Sequence, residues 1–288
     1  MNSIELAKSY VPVLDEVYKE ASLTAILDGA PELVRAGANA NELIIPKLDM
    51  QGLANYSRNG GYVDGDVTMT NETVQCNFDR GRMFAIDSMD NLETAGLAFG
   101  RLAGEFIRTK VVPELDAFRF AQYASAEGIS TVAGASLGTG AAVVEALRAA
   151  VSKFDEDEVP VTERYLFVTP TLLGLVEDLD TTKSRAVLAN FAGIVKVPQT
   201  RFYTAIKQNS GAGAEAAGGY AKAEGAKDIN FMVIHKAAVI QFEKHVAPKI
   251  VSPEANQNAD AWKFGYRNVG IADVYENKTA GIYLHKKA

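Results

Sequence analysis

The chain has 288 residues, 48% hydrophobic and 23% charged, with a mean hydropathy of −0.03, which suits a globular protein of one large or two modest domains. A formal net charge of −7 argues against binding driven by sequence-independent phosphate neutralisation. No apolar run nears the roughly 20 residues of a membrane helix, and a single cysteine, Cys76, excludes an internal disulfide or a cysteine-based zinc site and fits a reducing compartment.

The N-terminus, "MNSIELAKSY", carries Glu5 and no basic stretch, so it does not read as a secretory signal. Ile4, Ala7, Val11, Leu14 and Tyr18 recur at helical spacing, with Pro12 predicted to shorten or kink the helix. From Leu27 to Lys47 the chain turns irregular and then extended around Pro46. The stretch Asn55–Asp87 follows, predicted as a long polar hairpin. Val67 and Met69 lie ahead of Asn71 in its first strand, and Val74, Cys76 and Phe78 alternate with polar residues in its second. An isolated two-stranded hairpin is marginal in water, so this one must lie on something.

After Asp87 the period changes. Leu92, Ala95, Phe99, Leu102 and Phe106 share one helical face, with Asp90 as candidate N-cap, and Val111, Leu115 and Phe118 extend the pattern to about Ala124. A rod of roughly 35 residues would reach on the order of 50 Å, and Pro113 should bend or split it. From Gly134 onward the pattern is that of a compact α/β unit. "TGAAVVEALRAAVSKF" is a helix capped by Thr139 and ended by "DEDEVP". "RYLFVTP", "GIVKVP" and "FMVIHKAAVIQF" are strand candidates, "TLLGLVEDL" is a short helix, and the tail around Trp262 is strand-rich. Asn209–Asp228, rich in Gly and Ala, is expected to be a mobile surface loop.

Residues that carry chemistry are sparse. His235, His245 and His285 lack ligand-type spacing, so they are expected to be satisfied histidines at the surface or a sheet edge, and no metal or cofactor is expected. "GASLGTGAA" has closely spaced glycines before a helix. It lacks the Lys-Ser/Thr of a phosphate-binding loop, so a turn and cap explain it better than a nucleotide site. Consecutive acids Asp155–Glu158 point in different directions and read as a solvated helix end. Cys76 has no positive neighbour in its strand to make it a thiolate. No catalytic constellation emerges.

The order of parts resembles one family, the major capsid proteins of tailed bacteriophages with the Hong-Kong-97-like fold. "EFIRTKVVPELDAFRFAQYAS" (Glu105–Ser125) is similar to the second half of the family's spine helix, and Phe231–Lys287 is similar to its C-terminal strands, with His-Lys-Ala, Asp-Ala-Trp and Glu-Asn-Lys signatures. The resemblance implies an α+β fold. Residues 1–46 would be an N-arm and 47–86 an extended loop lying over an adjacent subunit. A peripheral domain would comprise 87–130 and 245–277, and an axial domain 131–244 and 278–288. It implies hexamers and pentamers of an icosahedral shell enclosing double-stranded DNA without sequence specificity, in a virion assembled in the bacterial host cytoplasm. An encapsulin-like compartment holding a cargo enzyme is the alternative.

Because the sequence enters its N-arm almost at once, the resemblance also implies either a separate scaffolding protein or a matured chain, with a portal, maturation protease or decoration proteins as further partners. On this reading the contacts between subunits would use the apolar stripe of Val74, Cys76 and Phe78, together with Tyr62. Arg58, Arg80 and Arg82 would pair with acids across the boundary. Some family members weld subunits through a lysine of the extended loop. No lysine occurs between Leu48 and Thr109, so no such weld is expected here.

Overall fold

A computed structural model describes residues 22–29, 35–36, 42–89, 97–134 and 136–287. The helix expected within residues 1–20, the candidate cap Asp90, and Leu92 and Ala95 lie outside the described residues.

Strands β1 (Arg35–Ala36), β2 (Glu42–Met50) and β3 (Val67–Gln75) form an antiparallel sheet in that order. Strand β4 (Phe78–Asp87) follows after two residues but belongs to a different sheet. The expected hairpin is therefore re-paired. Residues 67–75 run as one strand through Asn71, and β3 turns back on β2 across residues 51–66, not on β4. The period-2 pattern located extended segments but could not name their partners. The apolar stripe continues from Val74 to Phe78 although the chain changes sheets between them. Asn77 makes the crossing: its amide donates to the Ala272 carbonyl at 2.8 Å and accepts from the Ala272 amide at 3.1 Å.

The rod consists of α1 (Leu97–Phe106), a π-type turn (Ile107–Val111) and α2 (Val112–Ser125). Pro113 occupies the first turn of α2, where its missing N–H costs least. The widened turn ahead of it, in which the Val112 amide donates to the Ile107 carbonyl five residues back, takes up the mismatch without breaking the rod. Leu115 and Phe118 are buried, with Leu102, Phe106 and Val111 packed alongside, so the helical stripe faces the core as its spacing predicted.

The largest sheet has the order β5 (Ser130–Ala133), β13 (Ile282–Lys286), β10 (Ile229–His235), β6 (Arg164–Val168) and β7 (Gly193–Lys196). β5 runs parallel to β13 and β6 parallel to β7, while β10 is antiparallel to both neighbours. All seven residues of β10 are buried, as a strand covered on both faces requires. Phe231 and Val233 face α3 (Gly140–Glu156), α4 (Pro170–Glu177) and α5 (Thr182–Leu188) through Leu147, Phe154, Leu173 and Val187. Met232 and Ile234 face the rod through Phe120 and Tyr123. The expected cap holds: Thr139 Oγ1 accepts from the Ala142 amide at 3.4 Å.

On the other side of α2 lies the sheet β11 (Val239–Val251), β12 (Ala261–Val274), β4, all antiparallel. Gly81 is needed there, because a Cβ would meet the Tyr266 carbonyl at 2.9 Å. The helix is thus packed between two sheets, and its side chains from Val112 to Tyr123 are nearly all buried.

Two further expectations change. Residues 209–228 are not a bare loop: Tyr220–Lys222 (β9) pairs with Ile206–Gln208 (β8), and glycines at positive φ (Gly211, Gly213, Gly218, Gly219 and Gly225) supply its turns. His235 and His285 are buried on inner strands, not at a surface or sheet edge. His285 Nδ1 lies 3.0 Å from Asn230 Nδ2, and its ring stacks on Phe231 at 4.9 Å.

Candidate assembly surface

The β2–β3 hairpin carries the largest uncovered apolar set among the described residues. Met50, Leu53, Tyr56, Tyr62, Val63, Val67 and Met69 are all more than half exposed, Tyr62 at 88%. The loop nonetheless has internal order. Gln51 and Asp66 close its base through backbone and side-chain hydrogen bonds at 3.3 Å. Ser57 and Gly61 exchange backbone bonds at 3.2 and 2.8 Å, with Gly61 at φ +75°, and the Tyr56 and Tyr62 rings sit 5.0 Å apart. Arg58 lies in this terminal turn and is exposed. Of the seven candidate contact residues, only Arg58 and Tyr62 are presented to solvent by the hairpin tip.

The other five are engaged within their own chain. Val74 (6% exposed) packs with Ile240 and Ile271, with half-buried Cys76 beside them. Phe78 (3% exposed) enters the main core, its ring 5.0 Å from that of Phe118. Arg80 Nε donates to Glu114 Oε1 at 2.8 Å, and Arg80 Nη2 reaches the Gly219 carbonyl at 3.4 Å. Burial pushes the Glu114 carboxyl up from its ordinary range, and Arg80 opposes that shift. Arg82 donates to the carbonyls of Ala216 and Ala217 at 2.9 and 3.0 Å. A stripe continuous in sequence predicts one face covered by a neighbouring subunit. The change of sheet at Asn77 turns Val74 and Phe78 inward instead.

The rod carries a buried polar hub that sequence reasoning missed. Asp116, fully buried in α2, accepts from Ser22 Oγ (3.0 Å), the amides of Leu23 and Thr24 (3.1 and 3.2 Å), Thr24 Oγ1 (2.7 Å) and Arg201 (3.3 Å). One turn on, Arg119 donates to Thr24 Oγ1 at 2.9 Å and Glu243 at 3.2 Å. Gln241 Nε2 donates to the Thr24 carbonyl at 2.7 Å and Asp28 Oδ1 at 2.6 Å, while Tyr123 donates to Gln241 Oε1 at 2.7 Å. Buried charges are tolerated only when paired and hydrogen-bonded, and here they fasten residues 22–28 to the rod. The available signal was the presence of Asp116 and Arg119, three apart, inside an otherwise apolar stripe.

Among the described residues no group of His, Cys, Asp and Glu is placed to hold a metal, and no helix is long and apolar enough to cross a membrane. The acids at the end of α3 form local pairs, Asp155 with Arg164 at 2.8 Å and Asp157 with Lys153 at 2.6 Å.

The arrangement is a rod packed between two sheets, with a long exposed hairpin in a separate one. It is the Hong-Kong-97-like fold of tailed-phage major capsid proteins. The structure is similar to that of Gordonia phage Cozz, with a TM-score of 0.61 at 12% identity over 93% of this chain and 86% of that one. It is similar to the capsid of Cyanophage P-SCSP1u, with a TM-score of 0.56 at 14% identity over 88% and 85%. A virus-like particle from Pyrococcus furiosus matches with a TM-score of 0.54 at 10% identity over 94% and 98%. No protein-family model and no curated protein matches the sequence.

Proposed function

We propose that this chain assembles with copies of itself, as hexamers and pentamers, into an icosahedral shell enclosing the double-stranded DNA of a tailed phage. The observation that carries the reading is the β2–β3 hairpin. Its seven large apolar side chains are uncovered by any described part of the chain, and patches of that kind mark interaction sites. Apolar burial against a neighbouring copy supplies the stabilisation. Arg58 sets orientation, since an exposed ion pair contributes only about 0–1 kcal/mol.

Residues before Glu42 act as an arm, and the hairpin, which begins there rather than at residue 47, acts as the loop laid over the next subunit. The product is a virion component assembled in the host cytoplasm, with a scaffolding protein, portal, maturation protease or decoration proteins as partners. An acidic chain fits a container that is filled by a motor and need not attract DNA itself. Negative-stain microscopy of the purified protein tests this: closed shells of uniform size are the expected result, and a monodisperse monomer at high concentration would refute it.

The near-complete mutual coverage with a virus-like particle from an archaeon supports a second reading, a compartment holding protein cargo in place of a genome. Nuclease-protected DNA within particles purified from the native source separates the two.

A further inference from the structure

A cavity of about 530 Å³ opens at one end of the five-stranded sheet, where β6 and β7 finish, β10 begins and β13 ends. Volumes of roughly 300–1,000 Å³ are typical of small-molecule sites. In a chain of net charge −7 its lining holds no acid: Ser136, Thr169, Thr171, Gln199, Asn230 and Lys287 provide the polar groups, with leucines and prolines between them.

Helix α4 starts at this wall. Pro170 fills its first position, so the amides of Thr171 and Leu172, which have no acceptor within the helix, are presented at its positive end. Thr169, the residue before the helix, is only 7% exposed and lines the cavity, yet its hydroxyl makes no capping bond to the helix. A buried threonine hydroxyl beside a helix start normally satisfies an amide of that helix. Here the hydroxyl and the amides are left without one another. On the opposite side, the Lys287 ammonium is held by Gln199 Oε1 at 3.2 Å and Asp228 Oδ2 at 3.3 Å, which fixes a cation at the rim and leaves one of its three donors for a ligand.

We propose that this cavity binds a small organic anion, a phosphate monoester or carboxylate with an apolar body. The Thr169 hydroxyl and the first amides of α4 hold the charged oxygens, Lys287 neutralises them, and Leu137, Leu172 and Pro198 cover the apolar part. The same chemistry has two sources, a free metabolite or a carboxylate side chain of a neighbouring copy.

Calorimetric titration of the full-length chain, dissociated and separately in particles, with phenyl phosphate, phenylacetate and neutral benzyl alcohol tests the site. Phenyl phosphate should bind the dissociated chain at micromolar to millimolar concentrations, and benzyl alcohol should not. Thr169→Val, nearly isosteric, and the rim variant Lys287→Met should each weaken binding about tenfold or more, which corresponds to about 1.4 kcal/mol, without shifting the melting temperature of the free chain. Binding to both forms assigns the site to a free ligand. Binding to the dissociated chain alone assigns it to a neighbour's carboxylate. No binding to the dissociated chain, or equal binding by both variants, overturns the proposal. Because the readout needs no assembly, failure here leaves the shell reading intact, and the reverse holds.

Discussion

At Asp116 one carboxylate satisfies five donors in a site without water access. Removing one side of a buried pair leaves the other charge uncompensated, so Asp116→Ala should cost about 3–5 kcal/mol, read from chemical denaturation of the unassembled chain. A loss below 1 kcal/mol would show that the hub is incidental. Phe78, first read as a contact for a neighbour, belongs to the interior. Phe78→Ala should therefore destabilise the free chain by about 3–5 kcal/mol, whereas a pure assembly residue would leave that measurement unchanged.

His285 gives a pH dependence with a definite sign. Burial lowers its pKa in the fold, as it does for His235, and Nδ1 accepts from Asn230 only while it is unprotonated. The unfolded chain protonates near pH 6.5 and the folded one only at lower pH. Stability that is complete above that value is therefore lost as pH falls below it. The wild type should lose more melting temperature than His285→Gln between neutral pH and about pH 5. Equal slopes would refute the assignment.

Among the elements, the helices were the most legible. Period 3.6 with a charged first turn or a Thr cap is local information, and Thr139, Pro113 and the Leu115/Phe118 face all appear where the sequence placed them. The strands were legible as strands but not as pairs. Val67, Met69, Val74 and Phe78 have the alternation of a strand and its return, yet pairing is decided by partners about 25 residues before β3 in β2 and about 180 residues beyond β4 in β12. The Asp116 hub was illegible for the same reason, since its partners, residues 22–24 and Arg201, lie about 90 residues away on either side.

The hairpin tip is an element with no role in the isolated fold. Replacing residues 51–66 by a two-residue Asn-Gly turn, the favoured link between antiparallel strands, should leave the melting temperature of the free chain unchanged and abolish particles in the microscope. A large thermal loss would mean that the tip is covered within its own chain.

Over the whole molecule, the hairpin's one lysine is Lys47 in β2, paired opposite Thr70, and none follows through Thr109, so the hairpin tip offers no amine for a weld between copies. Particles boiled in detergent should release a single monomer band, and a covalent ladder would refute that expectation. Stability between copies then rests on non-covalent grip, which places weight on how the hairpin joins its own subunit. The chain passes from β3 to β4 across Cys76 and Asn77, and β4 is then laddered to β12 from Phe78↔Gly270 to Asp87↔Ala261. A pull by a neighbour on the tip passes through β3 and these two residues to that ladder. The arm behaves as a tether spliced into a rope.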